Sequence, residues 1–174
     1  MKKITILVSS QATFNNRMQF MQLTSENVEQ HHDMAFISII GTEECLKYYL
    51  DEADTVHYFN DAENVCNLEF DDITHDIVYH GHQFYAMSEA QAEKTFNFID
   101  KIINNDVQTI TFHIHCRAGY SRSRAVAEFI FRYCLDNDID VEYAERDEFF
   151  TQLNHDVLQK LQHAYWKHHN MYGF

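Results

Sequence analysis

An α/β fold is predicted for this chain: one domain over residues 1–174, with a central, mostly parallel sheet of four to five strands flanked by helices on both faces. Three observations lead there. Short β-rich runs alternate along the chain with segments of helical periodicity. No linker, repeat or low-complexity tract divides the 174 residues, and 45% are hydrophobic, enough to build a real core. Proline is absent and only four glycines are present, so most turns must be made with Asn and Asp.

The elements follow in order. Residues 4–9 read as the first strand; the apolar run after Met1-Lys2-Lys3 is too short for the h-region of a secretory leader. Helix is expected within 13–30, a strand at 34–40, a helix at 43–50, a weaker strand at 56–59 and a further strand at 65–70. Ser88 and Gln91 have capping-box spacing, and Ala92, Phe96, Ile99 and Ile103 form one apolar stripe, which predicts a helix over 88–103. Thr109-Ile110-Thr111-Phe112-His113-Ile114 alternates polar and apolar residues, which predicts a strand over 109–115. Val126, Phe129, Ile130, Tyr133 and Cys134 recur at helical spacing within a predicted helix over 123–135. Two more helices are expected within 141–150 and within 155–168.

Between that strand and that helix, residues 115–123 read His-Cys-Arg-Ala-Gly-Tyr-Ser-Arg-Ser. Five residues separate Cys116 from Arg122, and a strand–turn–helix junction of this length can aim its backbone N–H groups inward. A tetrahedral dianion would then rest on the amides of Arg117, Ala118, Gly119, Tyr120 and Ser121, with the Cys116 sulfur below and the Arg122 guanidinium fork beside it. Gly119 falls where such a turn needs a positive φ or close backbone approach. Because the thiolate is the attacking species, the site must favour negative charge on sulfur. The helix dipole, the loop amides and the Arg122 charge all act in that direction.

The stretch resembles the active-site loop of cysteine-based protein tyrosine phosphatases, and is most similar to the small dual-specificity branch. Close matching covers about ten positions, and Arg124 stands where that branch often carries a small residue or proline. The resemblance implies hydrolysis of phosphotyrosine, with phosphoserine and phosphothreonine as further substrates, through a cysteinyl-phosphate intermediate and without metal or other cofactor. It gives His115 the role of orienting the loop and helping hold Cys116 as a thiolate, and Ser123 that of hydrogen-bonding the sulfur as it departs. Such enzymes place a general acid on a neighbouring loop upstream of the cysteine. Asp72 is the first candidate, Asp71 the second and Asp76 the third, since the pair follows the run Val65-Cys66-Asn67-Leu68-Glu69-Phe70. The 44 residues from Asp72 to Cys116 imply extra loop between Thr74 and Met87, in which Tyr79, Phe84 and Tyr85 are candidates for the pocket mouth.

Charge narrows the partners. Thirteen Lys plus Arg against 27 Asp plus Glu give −14, a surface that repels nucleic acid and anionic membranes and disfavours phosphoinositides. Yet Arg117, Arg122 and Arg124, half of the six arginines, lie within eight residues, a local positive focus suited to a phosphorylated protein or peptide. Arg117 and Arg124 read equally as solvated charges and as ligand contacts.

Cys45, Cys66 and Cys134 show no metal-ligand spacing and read as buried small residues. Neither a leader nor a membrane-length apolar run is visible, so a reducing, cytoplasmic setting is expected. The twelve histidines, His31-His32, His80-Gly81-His82 and His168-His169 among them, lack a convincing ligand interval, so no metal is expected. Three other activities compete: a phosphate-binding module without turnover, a rhodanese-like sulfurtransferase, and an RNA 5′-triphosphatase. The preceding histidine, the Arg-Ser ending and the acid loop are unexplained by the second, and the acidic surface opposes the third.

Overall fold

The computed structural model describes residues 2–49, 56–144 and 152–171. Along the chain run β1 (Lys3–Ser10), α1 (Gln11–Phe20), β2 (Met34–Ile40), α2 (Glu43–Tyr49), β3 (Val65–Glu69), β4 (Ile77–Tyr79) and β5 (His82–Phe84). They are followed by α3 (Glu89–Ile103), β6 (Thr109–Cys116), α4 (Arg122–Asp136), β7 (Asp140–Tyr143) and α5 (His155–Met171). Five strands form an all-parallel sheet in the order β3-β2-β6-β1-β7, so the expected α/β architecture is present. Among the described residues, no helix is long and apolar enough to cross a membrane.

Pleating explains the two cores. Successive side chains of a strand point to opposite faces, and on β6 Ile110, Phe112 and Ile114 enter the larger cluster with residues of α3, α4 and α5. His113 and His115 face the other way, against Phe36 at 5.3 Å and Phe14 at 4.2 Å between ring centroids, beneath α1. The apolar stripe of α3 is buried as expected, with Ala92, Phe96, Ile99 and Ile103 inside and the Ser88–Gln91 capping box formed at its start.

Two expectations are corrected, and a third is met in part of its span. Within 13–30 the expected helix is present as α1, which stops at Phe20; Gln22 adopts φ 56°, and Val28–Gln30 coils again as a 3-10 turn. Thr24 and Asn27 spend their side chains on nearby backbone groups, which favours a turn over a helix. Residues 56–59 form irregular chain, not a strand; Phe59 is buried in the smaller core while Val56 is exposed. Of the span 141–150, within which a helix is expected, residues 141–143 belong instead to β7, paired with β1 from Lys3↔Asp140 to Ile6↔Tyr143; residues 145–150 lie outside the described residues, as does Leu50 of the span 43–50. Here β-sheet pairing overrides a local periodicity too short to discriminate.

The stretch between Thr74 and Met87, expected as loop, contains a β-hairpin. His80 and Gly81 both have positive φ, 50° and 81°, and connect Tyr79 to its cross-strand partner His82, the geometry of a two-residue primed turn. Aromatic contacts dock the hairpin on α2, with Tyr48 5.7 Å from Phe84 and 5.4 Å from His82. Because the sheet is parallel, the carboxyl ends of β2, β3 and β6 share one edge, and the loops leaving them meet there.

Candidate active site

Cys116 is the last residue of β6 and Arg122 the first of α4, so the five residues between them form the junction anticipated from the motif. Gly119 is required twice over. Its φ is 78°, and a Cβ there would lie 2.7 Å from both Ser10 N and the Ser9 carbonyl carbon. The loop thus packs directly on the backbone end of β1, where Ser10 is the register partner of Cys116 and Gln11 N donates to Arg117 O at 3.2 Å. No side chain fits that contact without backbone movement.

The sulfur sits at the base of a cavity of about 240 Å³ walled by Phe84, Ile73, Tyr120 and Ala118. Cys116 is 2% exposed, and its Sγ lies 3.1 Å from Ser123 Oγ. Arg122, 6% exposed, is held by Nη1 donating to Phe70 O at 2.6 Å and to Ile40 O at 3.2 Å, which pins the side chain to the ends of β2 and β3. Its Nε is buried and has no hydrogen-bond partner among the described residues. A charged donor left unsatisfied beside a cavity favours an anion there strongly. Arg124 is buried, not solvated: its Nε donates to Gly119 O at 3.2 Å and its guanidinium lies 5.2 Å from the Tyr120 ring centre, bracing the loop from behind. Arg117 is exposed at the cavity wall.

The two adjacent aspartates have different surroundings. Asp71 is 2% exposed, and its carboxylate accepts from Thr42 N at 2.9 Å, Thr42 Oγ1 at 2.8 Å and Tyr85 N at 2.8 Å. It ties the loop after β2 to the chain after β5. Asp72 is exposed at the cavity, and its Oδ1 accepts from Ser121 Oγ at 2.7 Å and Asn154 Nδ2 at 2.9 Å. Asp76 faces away, accepting from Ala86 N at 2.9 Å in a separate groove of about 760 Å³ that Tyr85 also lines. Tyr79 is half exposed on the hairpin, outside the lining of the smaller cavity, which Phe84 reaches. Asp71→Asn is expected to destabilise the fold by about 2–4 kcal/mol, because an amide cannot accept at both ends and a buried donor loses its partner. Asp72→Asn, on the surface, is expected to stay within about 0.5 kcal/mol of wild type. Thermal or urea unfolding of the two variants checks the contrast, and equal stability loss in both would contradict it.

His115 is fully buried, and neither ring nitrogen is hydrogen-bonded to any of the described residues. Burial, with smaller contributions from His57 and Arg122, pushes it down to about 3, so the ring is neutral at pH 7 and supplies no positive charge to the sulfur. Its place is that of a packing residue, tilted against Phe14 behind the loop. Ser121, read from sequence as part of the phosphate cradle, turns its hydroxyl to Asp72; although it is the N-cap of α4, it makes no side-chain cap bond. Cys66 and Cys134 are buried as expected, and burial pushes their thiols up to about 11 and about 12. Cys45, half-buried at the cavity wall, is also pushed up to about 12, by burial and then by Asp71.

Asn154 and Thr42 escaped the sequence reading. An asparagine before a helical segment is a capping signal, but no local pattern reports that its other end reaches Asp72, 82 residues away. Compared with protein-family models, with curated proteins and with solved structures, the chain matches none of them.

Proposed function

We propose that this chain is a metal-independent, cysteine-dependent phosphatase acting on phosphorylated proteins or peptides, with phosphotyrosine as its first substrate and phosphoserine and phosphothreonine within reach. One observation carries the reading: Cys116, whose sulfur lies 3.1 Å from Ser123 Oγ, and Arg122, whose Nε has no partner among the described residues, line one cavity on one glycine-bent loop. The sulfur attacks phosphorus as the ester P–O bond breaks, and Arg122 holds the equatorial oxygens through the planar stage. Asp72 gives its proton to the leaving oxygen, then takes one from the water that cleaves the S–P bond. The Ser123 hydroxyl donates to the departing thiolate. Phe84 and Tyr120 offer the cavity flat apolar walls, which suit an aryl ester. The acidic charge of −14 argues against nucleic acid and membrane surfaces as partners, and the unpaired cysteines among the described residues suit a reducing, cytoplasmic setting.

The test is to mix the protein with para-nitrophenyl phosphate in the presence of a chelator, quench in acid, and locate the phosphoryl group by mass spectrometry. A phosphorylated Cys116 peptide with steady release of nitrophenol is the expected result. Binding of phosphate without any turnover would favour a non-catalytic module. Transfer of sulfur from thiosulfate to cyanide, with a persulfide at Cys116, would favour the rhodanese-like alternative.

A further inference from the structure

We propose that Asn154 is the positioning residue for the Asp72 carboxyl group, selecting which of its two oxygens carries the proton; this rests on the phosphatase reading above. Asn154 is 7% exposed, and both ends of its amide are engaged. Oδ1 accepts from Val157 N at 3.2 Å and so caps the start of α5. Nδ2 donates to Asp72 Oδ1 at 2.9 Å and to Ile73 O at 3.3 Å. Its backbone N–H donates to Ser121 O at 3.3 Å, next to the hydroxyl that makes the second bond to the same Asp72 oxygen.

The amide is therefore a rigid bridge between three segments far apart in sequence. Capping fixes it to α5, and the capped geometry aims Nδ2 at the acid loop. With Oδ1 of Asp72 occupied by two donors, Oδ2, which accepts no bond among the described residues, is the oxygen left to hold the proton for the leaving group. An exposed aspartate without that restraint samples several rotamers, and most of them place its proton away from the ester.

Capping and positioning are separable by chemistry. Serine caps a helix about as well as asparagine but has no arm to reach Asp72, so Asn154→Ser keeps the first role and removes the second. Proton donation matters for phenyl phosphate, whose leaving group is poor, and little for dinitrophenyl phosphate, whose phenolate departs unaided. In Asn154→Ser, the ratio of kcat/KM on phenyl phosphate to kcat/KM on dinitrophenyl phosphate, which reports only the step that expels the leaving group, is expected to fall about ten- to a hundredfold, with the melting temperature near that of wild type. In an Asp72→Asn background the same change should leave the ratio where it was. A loss that is equal for both esters, or one that persists undiminished in the Asp72→Asn background, would overturn the proposal while the phosphatase reading survives. Failure of the wild-type protein to hydrolyse either ester would bring down the phosphatase reading, and this proposal with it.

Discussion

Cys116→Ser is expected to abolish hydrolysis of para-nitrophenyl phosphate, by a factor on the order of 10⁴–10⁶, while leaving the fold and phosphate binding in place. A serine hydroxyl is nearly isosteric with the thiol and sits 2% exposed at the same cavity base, so packing changes little. Its proton, however, is held far more tightly than a thiol's, and among the described residues no basic side chain is placed to remove it. His115 is the nearest in sequence, but it is fully buried and faces the Phe14 side of the sheet, opposite the core that takes Cys116. The Arg122 guanidinium and the loop are untouched, so the variant should still be stabilised against heat by millimolar phosphate. A Cys116→Ser protein that retains turnover within about tenfold of wild type would refute covalent catalysis at this sulfur.

Arg122→Ala is expected to lower kcat/KM by a factor on the order of 10³–10⁵ and to remove the thermal stabilisation by phosphate. Two effects add here. On the proposed reading the pocket loses its bidentate partner for the equatorial oxygens, and the carbonyls of Phe70 and Ile40 lose the donor that draws the ends of β2 and β3 to the loop. Arg122→Lys separates them. Lysine restores charge without the planar fork, so it should recover part of the phosphate binding and little of the rate. Kinetics beside melting curves, with and without phosphate, checks both variants. Phosphate stabilisation unchanged in Arg122→Ala would mean that the anion is held elsewhere.

The parts of the fold legible in the sequence were those whose signals are local and redundant. The stripe of α3 and its capping box state a helix twice, in periodicity and in termini. β6, Cys116, Gly119, Arg122 and Ser123 announce themselves as a strand, a turn and a helix in immediate succession. Legibility failed where a local preference competed with distant contacts. β7 carries a short ambiguous run that becomes a strand because β1 offers it an edge. The hairpin of β4 and β5 has only three residues a side and depends on α2 for its docking.

The site divides in the same way. The proposed nucleophile Cys116, the glycine bend at Gly119 and the proposed anion clamp Arg122 fall within seven consecutive positions, so chain order alone determined their proximity, and they could be read without knowing the fold. The acid side was decided only by tertiary structure. Asp71 and Asp72 are neighbours with the same chemistry, and what distinguishes them is burial against Thr42 and Tyr85 for one and contact with Ser121 and Asn154 for the other. Those partners lie 14 to 82 residues away, and they meet at the edge where the parallel sheet gathers the carboxyl ends of its strands.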